Sequence, residues 1–120
     1  MSARAARKVE SQIREIVGEE VATLSDPRIR GLVTVTGVRV SPDLANATVF
    51  YSVLSEEGAE EAREGLQSAA GRIQAALGAQ TRLKRTPRLR FEPDPVVERA
   101  SRLEGALREV NRTDDDPHEE

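Results

Sequence analysis

QSAAGRIQAALGAQTRLKRTPRLR, residues Gln67 to Arg90, has the spacing of a helix in its first half and of a short turn and then a strand in its second. Ala69, Ile73 and Leu77 continue the three- and four-residue spacing begun by Ala62 and Leu66, which places all five on one face of a helix. Gly71 lies inside that pattern. A helical glycine costs about 1 kcal/mol relative to alanine, so Gly71 marks a kink or a close backbone approach more naturally than a complete break, and Gly78 is placed to end the helix as a left-handed cap. After Thr86-Pro87, Leu89 and Phe91 alternate with Arg88, Arg90 and Glu92. That alternation predicts a strand with its apolar pair turned inward and its arginines outward.

The same stretch carries Arg72, Arg82, Lys84, Arg85, Arg88 and Arg90 and no acidic residue, in a chain of formal net charge −3 in which 32% of residues are charged. Positive charge gathered into one segment of an acidic protein suggests a polyanionic partner approached from one side. Arg82, Lys84 and Arg85 fall in or near a loop, where phosphate contacts need no base geometry, while Arg88 and Arg90 form a stripe on the outer sheet face. The plainer alternative is a solvated edge of helix and strand.

Upstream, Val9, Ile13, Ile16, Val17, Val21 and Leu24 predict a first helix from about Arg4 to Leu24, with Glu10 and Arg14 as an i, i+4 pair on its polar side. Ser25-Asp26-Pro27 stops it, because the residue before a proline is pushed out of the helical region. Leu32 to Val40 and about Ala45 to Leu54 read as two strands of a hairpin around the turn Ser41-Pro42-Asp43. In the first strand the apolar parity changes from Val33 and Val35 to Val38 and Val40, which predicts a β-bulge near Thr36-Gly37. In the second, Ala47, Val49, Tyr51 and Val53 share one face and Thr48, Phe50 and Ser52 the other. Phe50 there either stacks on a base or covers part of an exposed sheet. Ser55 is placed as the N-cap of the middle helix, with Glu56 and Glu57 at its positive end.

Downstream, Asp94-Pro95 provides an N-cap and first helical residue, and Val96, Ala100, Leu103, Leu107 and Val110 are expected to be the buried stripe of a last helix. Residues 111–120, NRTDDDPHEE, are acidic and aperiodic and are expected to be a disordered tail beyond a domain of residues 1–110.

At 120 residues the chain is expected to hold one core, and with only Phe50, Tyr51 and Phe91 as aromatics that core is aliphatic. There is no cysteine, so disulfides and thiolate metal sites are excluded, and neither a secretory signal nor a membrane-spanning run is visible. The cytoplasm is the expected compartment. His118, the only histidine, stands in the tail, and the adjacent Asp114, Asp115 and Asp116 make a poor metal cage. Without a thiol, a phosphate loop or a metal-ligand pattern, no catalysis, cofactor or metal is expected.

The order helix, strand, strand, helix, kink, helix, strand, helix gives an α+β domain with a three-stranded sheet and helices packed on one face. It is the order of type II KH domains, which bind RNA, yet the GxxG loop by which KH domains clamp the nucleic-acid backbone is missing. In its place stands Ala69-Ala70-Gly71. With Asp26-Pro27-Arg28, Val33-Thr34-Val35-Thr36-Gly37-Val38, Ser41-Pro42-Asp43-Leu44 and Arg82-Leu83-Lys84-Arg85-Thr86-Pro87-Arg88-Leu89, this Ala-x-Gly kink resembles the ribosome-binding factor A family, over about residues 3–110. The resemblance implies a non-catalytic, monomeric factor that binds the free small ribosomal subunit (30S). It also implies help in late maturation and 5′-end processing of 16S rRNA, a link to growth in the cold, and assembly GTPases as further partners. The implied RNA contacts are Ala69, Ala70, Gly71, Arg72, Arg82, Lys84, Arg85, Arg88 and Arg90. The rival readings are a free-standing KH-like regulator of single-stranded RNA and a protein-interaction scaffold; no membrane partner is expected.

Overall fold

A computed structural model describes the backbone of residues 2–115 and the side chains of residues 2–110. The elements are α1 (Ala3–Ala22), β1 (Val33–Val40), β2 (Asn46–Val53), α2 (Ala59–Gln80), β3 (Arg88–Pro93) and α3 (Pro95–Asp115), with a single 3₁₀ turn at Glu56–Gly58 before α2. The sheet order is β1-β2-β3, with β1 antiparallel and β3 parallel to the central β2. The parallel pair follows from α2, because a strand that returns in the same direction needs a long crossover.

The hairpin and its bulge are as the alternation predicts. The β1–β2 register shifts between Val35 and Gly37, so Thr36 is the extra residue, and Val33, Val35, Val38 and Val40 all pack on the core despite their change of parity. Ala47, Val49 and Tyr51 are buried, with Leu89 and Phe91 beside Ala47 and Val49 in register. Against this face α1 presents Ile13, Val17 and Val21, and α2 presents Leu66, Ile73 and Leu77. Fully burying each such side chain is worth about 1.5–3 kcal/mol, so these two helices and one sheet face hold the domain together. An added Cβ at Gly65 would lie 3.0 Å from the Ile29 side chain, so glycine lets α2 lie close on the segment before β1.

Several local expectations are corrected. Helix α1 starts at a Ser2 N-cap and ends at Ala22, before Leu24, because the Thr23 and Leu24 N–H groups already turn back onto the carbonyls of residues 19–21. Glu10 makes no pair with Arg14; its Oε2 accepts from Val40 N at 3.0 Å and covers a backbone donor on the free edge of β1. Ser55 opens the 3₁₀ turn without a side-chain cap bond, and α2 starts only after Gly58. The middle helices are one continuous helix through Gly71, so the described residues hold three α-helices. Gly78 is inside that helix, which ends at Thr81 in extended backbone, and Gly31 is the only described glycine with positive φ.

The largest correction concerns α3. Asp94 caps it as expected, Oδ1 accepting from Val96 N at 2.9 Å and Val97 N at 3.4 Å. Its stripe, however, is exposed: Leu103 is 60% and Leu107 55% accessible, and Val96, Ala100 and Val110 are exposed too. Among the described residues no strand follows α3 to bring its stripe against the sheet, so amphipathic spacing there does not become core. The helical backbone runs past residue 110 to Asp115, while residues 116–120 with His118, and the side chains of residues 111–115, lie outside the described residues.

Candidate nucleic-acid interface

The Gln67–Arg90 stretch is the second half of α2, the connection Thr81–Pro87 and the start of β3. Two side chains fix its path. Gln74 donates from Nε2 to the Pro87 carbonyl at 2.8 Å and accepts at Oε1 from Leu89 N at 2.9 Å, so one amide ties the end of the connection and the outer edge of β3 to α2. Pro87 is fully buried beneath it. Between these anchors Arg82, Lys84 and Arg85 stand exposed, and among the described residues none of the three has an ion-pair partner. Arg85 lies near the hairpin turn and adds to the depression of the Asp43 carboxyl, which Ser41's hydroxyl and Ala45 N–H chiefly hold below the usual carboxylate range.

The predicted residues are divided among the loop, two grooves and the outer sheet face instead of forming one surface. Ala70, Gly71 and Arg88 line an open groove with Gln74, Thr86 and Leu89, about 410 Å³ in volume. A Cβ added at Gly71 would meet nothing within 4 Å, so the chain itself makes no use of the missing side chain, and the helix backbone there faces open space. Ala69 and Arg72 line a second groove, against Asp26, Pro27 and Arg28 across α2. In that groove Asp26 and Arg28 form a close pair at 2.7 Å, and the Arg28 hydrogen bonds hold the Asp26 carboxyl below its ordinary value. Arg72 is left as the unpaired cation of the groove. Arg90 shares the parity of Arg88 on β3 and lies one row further along the outer sheet face, 3.8 Å from Glu92, while Arg88, at the end of the strand, also edges the first groove.

Two contributors escaped the sequence reading. Gln74 sits one residue after the apolar Ile73 and looks like any polar helix residue; only the fold reveals its double bond to the connection. Arg39 stands outward on β1, in register with Thr48 and through it with Arg90, and the outward parity of β1 was the available signal. A separate cleft of about 210 Å³ between the ends of β2 and β3 and the start of α3 holds Arg63 and Arg102 with Glu56, Glu60 and Glu98, and contains none of the predicted residues. Among the described residues no group of three or more His, Cys, Asp or Glu side chains is placed to hold a metal, and no helix is long and apolar enough to cross a membrane.

Fold and surface together define a KH-like α+β domain whose clamp loop is replaced by an unbroken helix and whose cationic connection is free of acid. The ribosome-binding factor A family model matches residues 4–107. A ribosome-binding factor A from Rubrobacter xylanophilus is 71% identical over 116 residues, covering 97% of this chain and 95% of that protein. The crystal structure of ribosome-binding factor A from Thermus thermophilus superposes with a TM-score of 0.65 at 37% identity, over 73% of this chain and 93% of that one. A homology model of the Thermus thermophilus factor, fitted into the cryo-EM map of a 30S complex, superposes with a TM-score of 0.58 at 38% identity, over 71% of this chain and 90% of that one. This chain belongs to the ribosome-binding factor A family.

Proposed function

We propose that this chain binds the free 30S subunit in the cytoplasm and assists late maturation of 16S rRNA, including processing of its 5′ end, as a monomer that catalyses no reaction itself. The observation that carries the proposal is the exposed, unpaired Arg82, Lys84 and Arg85 on a connection pinned by Gln74, next to the open helix backbone at Gly71. A pinned cationic loop meets phosphates with little ordering cost, and each neutralised phosphate releases counterions, so affinity falls steeply with salt. The relative seated in a 30S map supports the choice of polyanion. Gly71 supplies close approach: the rRNA backbone reaches α2 where a side chain would stand between them.

A free-standing regulator of single-stranded RNA is the alternative, and the missing GxxG argues against it. A sucrose gradient of cell extract separates the two. Comigration with free 30S and exclusion from translating ribosomes is expected here; migration with small ribonucleoprotein would overturn the proposal in favour of the regulator.

A further inference from the structure

The sheet face turned away from α1 and α2 carries a second cationic surface, built from all three strands. One row across it is Arg39–Thr48–Arg90, the next is Gly37–Phe50–Glu92, and Arg88 stands beside Asn46 at the end. Arg39, Arg88 and Arg90 are exposed, and the one acid in these rows, Glu92, is 3.8 Å from Arg90. Phe50 is half-buried on this face, although its neighbours Val49 and Tyr51 fill the core on the other.

The bulge explains why the ring is open. Inserting Thr36 brings Gly37 opposite Phe50, and a Cβ at Gly37 would meet nothing within 4 Å, so one flank of the ring has no covering side chain. Were the Val33–Val35 register continued without the bulge, Thr36 would stand opposite Phe50. The Thr36 hydroxyl is engaged elsewhere, donating to Asp94 Oδ2. The arrangement is thus an aromatic surface with free space beside it and guanidinium groups one row away on both outer strands. Adjacent strands are about 4.8 Å apart, so Arg39 and Arg90 bracket Thr48 close to the ring.

We infer that Phe50 is a stacking platform for one unpaired rRNA base, whose flanking phosphates are held by Arg39 and Arg90. This platform presupposes the proposed rRNA binding and adds to it a contact on the outer sheet face. Charge complementarity selects RNA as the occupant, and a flat ring open on one flank selects a splayed base over a duplex.

The chain contains no tryptophan, so Phe50→Trp places a single reporter at the platform. Titrating free 30S into this variant should quench its emission, as base stacking does. Phe50→Leu, which still covers the sheet but cannot stack, should weaken 30S binding roughly tenfold or more, with unchanged far-UV circular dichroism. Equal binding by Phe50→Leu, or an unquenched blue shift of the tryptophan that reports an apolar protein contact, would overturn the platform while leaving rRNA binding intact. Failure of the unsubstituted protein to bind 30S would overturn the underlying reading, and the platform with it.

Discussion

Helices α2 and α3 have nearly the same length, 22 and 21 residues, and both space their apolar residues by three and four, yet α2 buries Ala62, Leu66, Ile73 and Leu77 while α3 leaves Leu103 and Leu107 in solvent. The difference lies in how each helix is tied. Helix α2 is the crossover between the parallel strands β2 and β3, so both its ends are anchored in one sheet and its apolar face must lie across it. Helix α3 leaves the sheet at Asp94, which caps it, and among the described residues no strand follows it. Periodicity states which face of a helix is apolar; connectivity decides whether anything covers it.

That contrast can be broken by substitution. Ile73→Ala in α2 removes a fully buried side chain and is expected to cost about 2–5 kcal/mol of unfolding free energy in urea titration; a cost like that of a surface change would mean that α2 is not core. Gln74→Ala, one position on, leaves the Pro87 carbonyl and Leu89 N–H without their partner and should cost roughly 1–2 kcal/mol. Hydrogen exchange at Leu89 would be faster in that variant, and protection retained there would show that the edge of β3 is held in another way.

The link between sheet and α3 is Asp94. Asp94→Ala should cost about 1 kcal/mol through loss of the cap, and its pH dependence has a definite sign. The Thr36 hydroxyl, with the Val96 and Val97 N–H groups, holds the Asp94 carboxyl below its ordinary value of 3.8. A depressed carboxylate stabilises the fold fully above its unfolded pKa, and that contribution is lost as pH falls through the lower folded value. Melting temperature followed downward from pH 5 should therefore decline less steeply in Asp94→Asn than in the unsubstituted chain, and parallel curves would remove the linkage. The smallest effect is expected for Leu103→Ser with Leu107→Ser, within roughly 0.5 kcal/mol, since both side chains are already in water. A loss comparable with Ile73→Ala would show that α3 is covered in solution.

What the sequence made legible follows the same division. Alternation in β1 and β2, including the parity change at Gly37, located the hairpin and its bulge because a one-sided sheet writes its buried face directly into the residue pattern. The charge of Gln67–Arg90 was legible, but its division among a loop, two grooves on either side of α2 and the far sheet face was not, since that depends on how helix and strands are brought together. Gln74 and Glu10 were invisible as tethers for the same reason: each bonds to backbone distant in sequence, and a lone polar helix residue carries no mark of it. Gly71 reads as a kink or a close backbone approach, and the helix runs through it without a break, with open space where its Cβ would be.

The role of the cationic connection is tested by cosedimentation of purified chain with free 30S subunits, comparing the unsubstituted protein with the Arg82→Glu, Lys84→Glu, Arg85→Glu variant across a range of salt. All three side chains are exposed and unpaired among the described residues, so helix content and melting temperature should be unchanged. The prediction is that 30S binding is abolished at physiological salt, with a shallower salt dependence for any binding left at low salt. Binding of the folded variant equal to that of the unsubstituted chain would contradict it.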